Sequence, residues 1–264
     1  MQKYRVPTLT IATSDSSGGA GIQADLKAFS ALGTYGMSVI VAITAQNTEG
    51  VYGIEALSTD IIEKQMDAVF TDIFPKAVKI GMVYSSDIIL QVAEGLKKYK
   101  PEYVVLDPVM ISKSNCPLLK QDAMENLIKN LIPLSYILTP NVPEAEEITG
   151  IKIENIEDMK KAGEKILEMG AKNVLIKGGH LEGDATDVLM GNDLLEVYEG
   201  KRYDRKNTHG TGCTLSSAIA SYLALGYDIK ETIRLSKIYI SEAIEHSFDV
   251  GKGVGPVHHF YKFE

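Results

Sequence analysis

The segment richest in reactive groups comes late in the chain: Asn207-Thr208-His209-Gly210-Thr211-Gly212-Cys213-Thr214. It runs into Leu215, Ala218, Ile219, Tyr222 and Leu223, an apolar stripe at helical spacing. A helix therefore starts near Gly212, and its first unpaired N–H groups and its dipole together make an anion site. Cys213 falls in the first turn, where that field is expected to lower a thiol's pKa towards neutrality and leave a thiolate able to take a proton. Taken alone, Cys213 reads equally well as a small buried hydrophobe. An earlier loop, Ser14-Asp15-Ser16-Ser17-Gly18-Gly19-Ala20-Gly21-Ile22-Gln23-Ala24-Asp25, contains Gly19-x-Gly21-x-x-Ala24, the form of a dinucleotide fingerprint. The fit is poor, because Thr13 and Gly19 are too far apart for the usual tight turn. Thr44-Ala45-Gln46 also stands where a ribose-binding acid would end the second strand. No Gly-x-x-x-x-Gly-Lys-Ser/Thr loop is present. His180 and His209 have no metal-ligand spacing around them, and the adjacent pair His258-His259 reads as structural.

Short β-branched runs alternate with longer helical-period segments and would position these loops. Strands are expected at 9–13, 38–43, 77–83, 103–109, 135–139 and 173–177, most of them continuously apolar, as when both faces of a parallel sheet are covered. Helices are expected at 20–32, 59–72, 86–99, 118–131 and 156–169. Residues 50–57 read as an inserted strand, and 187–203 as a hairpin turning at Gly191-Asn192-Asp193. Two helices, 212–225 and 229–246, precede a glycine-rich tail. This βα alternation implies a doubly wound α/β layer in one domain, 1–264, with ligands at the carboxyl ends of the strands.

Composition narrows the function classes. The 264 residues carry 27 Lys+Arg against 35 Asp+Glu, a net charge of −8, so no basic footprint for nucleic acid or an anionic membrane exists. No run approaches the ~18 apolar residues of a membrane span. Two cysteines, Cys116 and Cys213, do not make a disulfide scaffold, and a reducing cytoplasm is expected.

Seven separated motifs carry a resemblance: Ser14 through Lys27, Ala45-Gln46-Asn47-Thr48, Lys79-Ile80-Gly81-Met82, Leu106-Asp107-Pro108-Val109-Met110, Thr139-Pro140-Asn141-Val142-Pro143-Glu144-Ala145, Val174-Leu175-Ile176-Lys177-Gly178-Gly179-His180, and Asn207 through Leu215. In this order they resemble the hydroxymethylpyrimidine/phosphomethylpyrimidine kinases of thiamine synthesis, within the ribokinase-like superfamily, over nearly the whole chain. The resemblance implies a ribokinase-like, doubly wound, mostly parallel sheet with helices on both faces, in a homodimer. It implies ATP- and Mg²⁺-dependent phosphorylation of 4-amino-5-hydroxymethyl-2-methylpyrimidine and then of its monophosphate. By the same resemblance Cys213 acts on the substrate hydroxymethyl, with Gly210, Thr211 and Gly212 at the moving phosphoryl group. Gln46, Asp25, Gly21, Met82 and Val109 hold the pyrimidine; Asn141, Lys177 and Thr208 hold ATP; Asp107 and Glu144 serve the metal. A carboxamide at Gln46 suits an aminopyrimidine, since it offers both a donor and an acceptor. The family pattern often continues Ser112-Lys113-Ser114 with Gly-Asp, whereas this chain has Asn115-Cys116. Rival readings are a pyridoxal kinase of the same superfamily, a Cys/His acyl-transfer or hydrolytic enzyme using His209 and Cys213, and a non-catalytic nucleotide sensor.

Overall fold

Strands buried on both faces need helices on both sides, and the alternating sequence supplies them. The computed structural model describes residues 5–110, 121–179, 185–200, 203 and 205–263. Its strands are β1 (Pro7–Asp15), β2 (Tyr35–Gln46), β3 (Val51–Ala56), β4 (Ala77–Ile80), β5 (Tyr103–Leu106), β6 (Ile137–Leu138), β7 (Asn173–Ile176), β8 (Asp187–Gly191) and β9 (Leu194–Tyr198). They form one sheet in the order β3-β2-β1-β4-β5-β6-β7-β8-β9. The six strands from β2 to β7 in that order run parallel, β3 closes one edge antiparallel, and the β8–β9 hairpin closes the other. The helices are α1 (Gly21–Ala31), α2 (Thr59–Asp72), α3 (Ser86–Tyr99), α4 (Gln121–Asn126), α5 (Val142–Thr149), α6 (Ile156–Glu168), α7 (Thr211–Ala224) and α8 (Ile229–Glu245).

Successive strand residues point to opposite faces, and the core splits accordingly. Val78, Ile80, Val104, Leu106, Val174 and Ile176 pack with α2, α3 and α6 through Ile62, Met66, Ile89 and Ile166. Ala77, Val105 and Leu175 pack on the other face with α1, α7 and α8 through Phe29, Ile219 and Ile233. Local chemistry sets the helix starts. The side chains of Ser58, Asn155 and Asp228 accept the N–H groups of Ile61, Asp158 and Glu231, and Asn141 with Glu144 forms a reciprocal capping box on α5.

The expected doubly wound layer is what the chain adopts. Its boundaries differ in one systematic way. The strands expected at 77–83, 103–109, 135–139 and 173–177 leave the sheet early, at Ile80, Leu106, Leu138 and Ile176. Beyond those ends, Met82, Asp107, Val109 and Lys177 line a cavity. The strands expected at 9–13 and 38–43 instead extend to Asp15 and Gln46. Helix α5 lies outside the helices expected from periodicity; Pro143 sits in its first turn, where proline is tolerated. The helix expected at 118–131 is seen as α4 followed by a π turn, Leu127–Leu131, and its first residues lie outside the described ones, as do Ser112, Lys113, Ser114, Cys116 and His180. Among the described residues no helix is long and apolar enough to cross a membrane.

Candidate active site

In an open parallel sheet, ligands sit at the carboxyl ends of the strands where the strand order reverses. Here the chain passes from β1 to β2 on one side and later returns to β4 on the other. A cavity of about 1390 Å³ opens at that point. Thr13 and Asp15 of β1, Gln46 of β2, Met82 after β4, Asp107 and Val109 after β5, Asn141 after β6 and Lys177 after β7 line it, together with the start of α7.

Two glycines make the close approaches at the starts of α7 and α1 possible. Gly210 caps α7 with φ +77°, and a Cβ there would lie 1.9 Å from the Gly19 carbonyl. Gly21, at φ +56°, would set a Cβ 2.2 Å from the Thr13 carbonyl. Cys213, in the first turn of α7, faces the cavity. Its thiol is not the activated group the helix start suggested. Burial pushes it up to about 11, the carboxylates of Asp25 and Asp107 push the same way, and Lys79 with the Gly21 N–H only partly offset them. At neutral pH Cys213 is a thiol.

Asp25 lies on α1, as expected, but does not line the cavity. It is fully buried beneath it, 2.9 Å from Lys79 Nζ through both oxygens, and accepts from Thr10 Oγ1 at 2.6 Å and Ser217 Oγ at 2.7 Å. Every lone-pair direction of the carboxylate is used, which leaves none for a substrate. Lys79 is equally buried. Burial alone would lower its pKa, but Asp25, Cys213 and Asp107 outweigh that and hold it charged.

Further along the strand ends, Lys177 Nζ lies 3.1 Å from Asp107 Oδ1. Asp107 also accepts from Thr139 Oγ1 and Ser216 Oγ, and a Cβ on Gly212 would stand 3.6 Å from both Asp107 Oδ2 and Lys177 Nζ. Glu144 faces the same group. Burial pushes its carboxyl up to about 7, and Asp107 adds to this; Lys177 and the N–H groups of Asn141 and Met110 pull it back only in part. Two buried carboxyls therefore share one cation. Among the described residues no cluster of three or more His, Cys, Asp or Glu forms a ready metal cage.

At the other end Gln46 terminates β2 at a bulge, where the register against β3 slips between Ala45 and Gln46. Its carboxamide meets His209, whose Nε2 lies 2.9 Å from Asp15 Oδ2. Burial would raise the Asp15 pKa, but hydrogen bonds from His209, Ser17 and Ala20 prevail and lower it to about 2.

Cys213, Gly210, Thr211, Gly212, Gln46, Gly21, Met82, Val109, Asn141, Lys177, Asp107 and Glu144 thus share one cavity. Thr208 does not line it; its carbonyl accepts from Thr211 Oγ1 at 2.7 Å, bracing the start of α7. Sequence reasoning gave no role to Asp15 or Lys79, and gave His209 one only in the rival acyl-transfer or hydrolytic reading. Lys79 carried a readable signal, since a lysine inside Ala77-Val78-Lys79-Ile80 must find a buried partner. The bland reading of His259 fits its setting, buried with Nε2 2.9 Å from Thr214 Oγ1.

A phosphomethylpyrimidine kinase family model matches residues 15–258. The chain is 50% identical to a hydroxymethylpyrimidine/phosphomethylpyrimidine kinase of Rhizobium meliloti over 97% of both chains. It is 47% identical to a thiamine biosynthesis bifunctional protein of Geobacter sulfurreducens, of whose length it spans about half, 53%. Among solved structures, a phosphomethylpyrimidine kinase of Clostridium difficile is 66% identical with TM-score 0.83, covering 91% of this chain and 100% of that one. A pyridoxal kinase of Staphylococcus aureus, in complex with AMP-PCP and pyridoxal, is 35% identical with TM-score 0.89, covering 97% and 94%.

Proposed function

Because the chain belongs to the phosphomethylpyrimidine kinase family, we propose that residues 1–264 form one ATP-dependent kinase domain of the ribokinase-like superfamily. It phosphorylates the hydroxymethyl group of 4-amino-5-hydroxymethyl-2-methylpyrimidine and then the monophosphate, in thiamine biosynthesis. One observation carries the reading: the first turn of α7, with Cys213, stands in the same cavity as an amide reader at one end (Gln46) and a charged group at the other (Asp107, Lys177, Glu144). That is the layout a kinase needs, with the alcohol and the terminal phosphate brought together at a helix start.

In this reading Met82 and Val109 wall the ring and Gln46 hydrogen-bonds its edge. The alcohol oxygen bonds to the terminal phosphorus as the bond to the bridging oxygen breaks and ADP leaves. In a loose transition state the alcohol's proton departs late, so the group beside it needs to orient rather than deprotonate. A neutral Cys213 thiol suits that role. First-turn N–H groups of α7 and Lys177 meet the phosphates. Mg²⁺ takes few direct carboxylates and keeps waters. Glu144 and Asp107, two carboxyls with one cation between them, fit such an ion held jointly with ATP. When bound, the ion would neutralise charge on the phosphates. We take the protein to act as a cytoplasmic homodimer; Tyr35, Ile43 and Tyr52 stand exposed on β2 and β3, apolar surface that a second copy would cover.

The likeness to pyridoxal kinases supports a second activity on pyridoxal. The test is ADP release with Mg-ATP and, in turn, the hydroxymethylpyrimidine, its monophosphate and pyridoxal. ADP from the first two is expected; ADP from pyridoxal alone would replace this reading with the second, and none with any of the three would refute both.

A further inference from the structure

His209 Nε2 has two close neighbours, Asp15 Oδ2 at 2.9 Å and the Gln46 amide at 3.3 Å. Asp15 is an ionised acceptor bonded as well to Ser17 N and Oγ, Gly19 N and Ala20 N. The histidine must therefore carry its proton on Nε2. The structure places the Gln46 NH₂ group on that side and the amide oxygen towards Thr44 Oγ1, an arrangement that sets two donors against each other at His209. The opposite side of the amide leads to the same orientation. Thr44 Oγ1 lies 3.2 Å from it but already has the Ser14 carbonyl, at 3.1 Å, as acceptor for its single hydrogen. Turning the amide over puts its oxygen towards His209, where it shares the single Nε2 hydrogen with Asp15 Oδ2, and its NH₂ towards Thr44 Oγ1, so that no two donors meet. The remaining N–H and the remaining lone pair of the amide are left for a ligand, in a fixed order.

We propose that His209, held by Asp15, is a positioning residue that fixes the orientation of the Gln46 carboxamide and thereby selects the edge pattern of the ring the cavity accepts. The preferred class is an aromatic alcohol with a ring-nitrogen acceptor beside an exocyclic amine. The pyrimidinone analogue, with a ring N–H beside a carbonyl, presents the reversed pattern, and only a rotated amide could read it. His209 also lies against Gly19, where a Cβ would stand 2.3 Å from the imidazole Cδ2, so glycine at that position leaves the ring its room.

This inference rests on the kinase reading, and calorimetric binding keeps the two separable. The measured quantity is the ratio of dissociation constants for the hydroxymethyl aminopyrimidine and its pyrimidinone analogue, which does not depend on the fraction of active protein. Wild type should favour the amine by about a hundredfold. His209→Phe keeps the ring against Gly19 but removes the N–H, and should bring the two affinities within about fivefold of each other; His209→Ala gives the same test should the phenyl fail to fit. In a Gln46→Ala background the histidine change should alter the ratio less than about twofold, because the two residues act as one unit. An unchanged ratio in His209→Phe, equal effects with and without Gln46, or no binding of the aminopyrimidine by wild type would overturn the proposal. Tight binding of the amine without ADP release would overturn the kinase reading instead, and the ratio would still decide this one.

Discussion

Glu144→Gln should make the unliganded protein more stable at pH 8 while impairing phosphoryl transfer. The carboxyl sits at about 7 in the folded chain against 4.5 for an unperturbed glutamate, because burial and Asp107 outweigh Lys177. A raised carboxyl pKa means that the folded state binds the proton more tightly. The contribution is fully present below 4.5 and is lost as pH rises through 7, so at pH 8 the folded chain holds the ionised form at a cost of about 3 kcal/mol. Glutamine removes the charge but keeps an oxygen for the Asn141 N–H, so the capping box that starts α5 survives. Lys177 keeps Asp107 as its partner. Thermal unfolding by circular dichroism should show a gain of about 2–3 kcal/mol at pH 8, roughly 5–10 °C, shrinking to nothing at pH 5. A variant less stable than wild type at pH 8, or a gain that persists at pH 5, would refute the electrostatic account. Retained full activity with Mg-ATP would refute the placement of Glu144 at the metal.

Cys213→Ala should lower kcat about 10²-fold through lost orientation while leaving binding of an ATP analogue intact. In wild type kcat should be flat from pH 7.5 to 9.0; a thiolate acting as base, with its pKa at about 11, would instead give a rise of about 30-fold. Lys79→Met strands the Asp25 carboxylate in the core and should cost about 3–5 kcal/mol in urea unfolding, most of it recovered by adding Asp25→Asn; a loss under about 1 kcal/mol would contradict the pairing. Asp15, lowered to about 2 from 3.8, contributes stability that is present above 3.8 and lost as pH falls towards 2. Discounted for the solvent that reaches the cavity edge, this is about 1–2 kcal/mol, read as the difference between wild type and Asp15→Asn in denaturant titrations at pH 6 and pH 3.

The parallel core was legible because its strands are short, continuously apolar and β-branched, as in Ala77-Val78-Lys79-Ile80 and Asn173-Val174-Leu175-Ile176. Their ends were not. Met82 and Val109 continue the apolar pattern, so a periodicity argument keeps them in the strand, while the structure turns them to a cavity that leaves no trace in the hydrophobic period. Asn141 and Glu144 were read as an ATP and metal motif, yet the same spacing is a capping box, and the structure holds the helix start and the buried charge on one side chain. Asp25 shows the opposite limit. A carboxylate on α1 reads the same whether it faces a ligand or a buried lysine, and only the register that sets Thr10 beside Lys79 decides between them.

The same weighing of terms explains why the helix start does not activate Cys213. The field at a helix N-terminus is worth about 0.3–2 kcal/mol, which would lower a thiol's pKa by at most about 1.5. Against it stand desolvation and two carboxylates, and the thiol moves up from 9.0 to about 11. Lys79, the cation that opposes them most, is itself tied to Asp25 through both oxygens, so much of its charge is already answered. A residue in that setting cannot hold a negative charge before the reaction begins. It can accept a hydrogen bond from an alcohol whose proton is released only after the phosphoryl group has begun to move, and a kinase with a loose transition state asks no more of it.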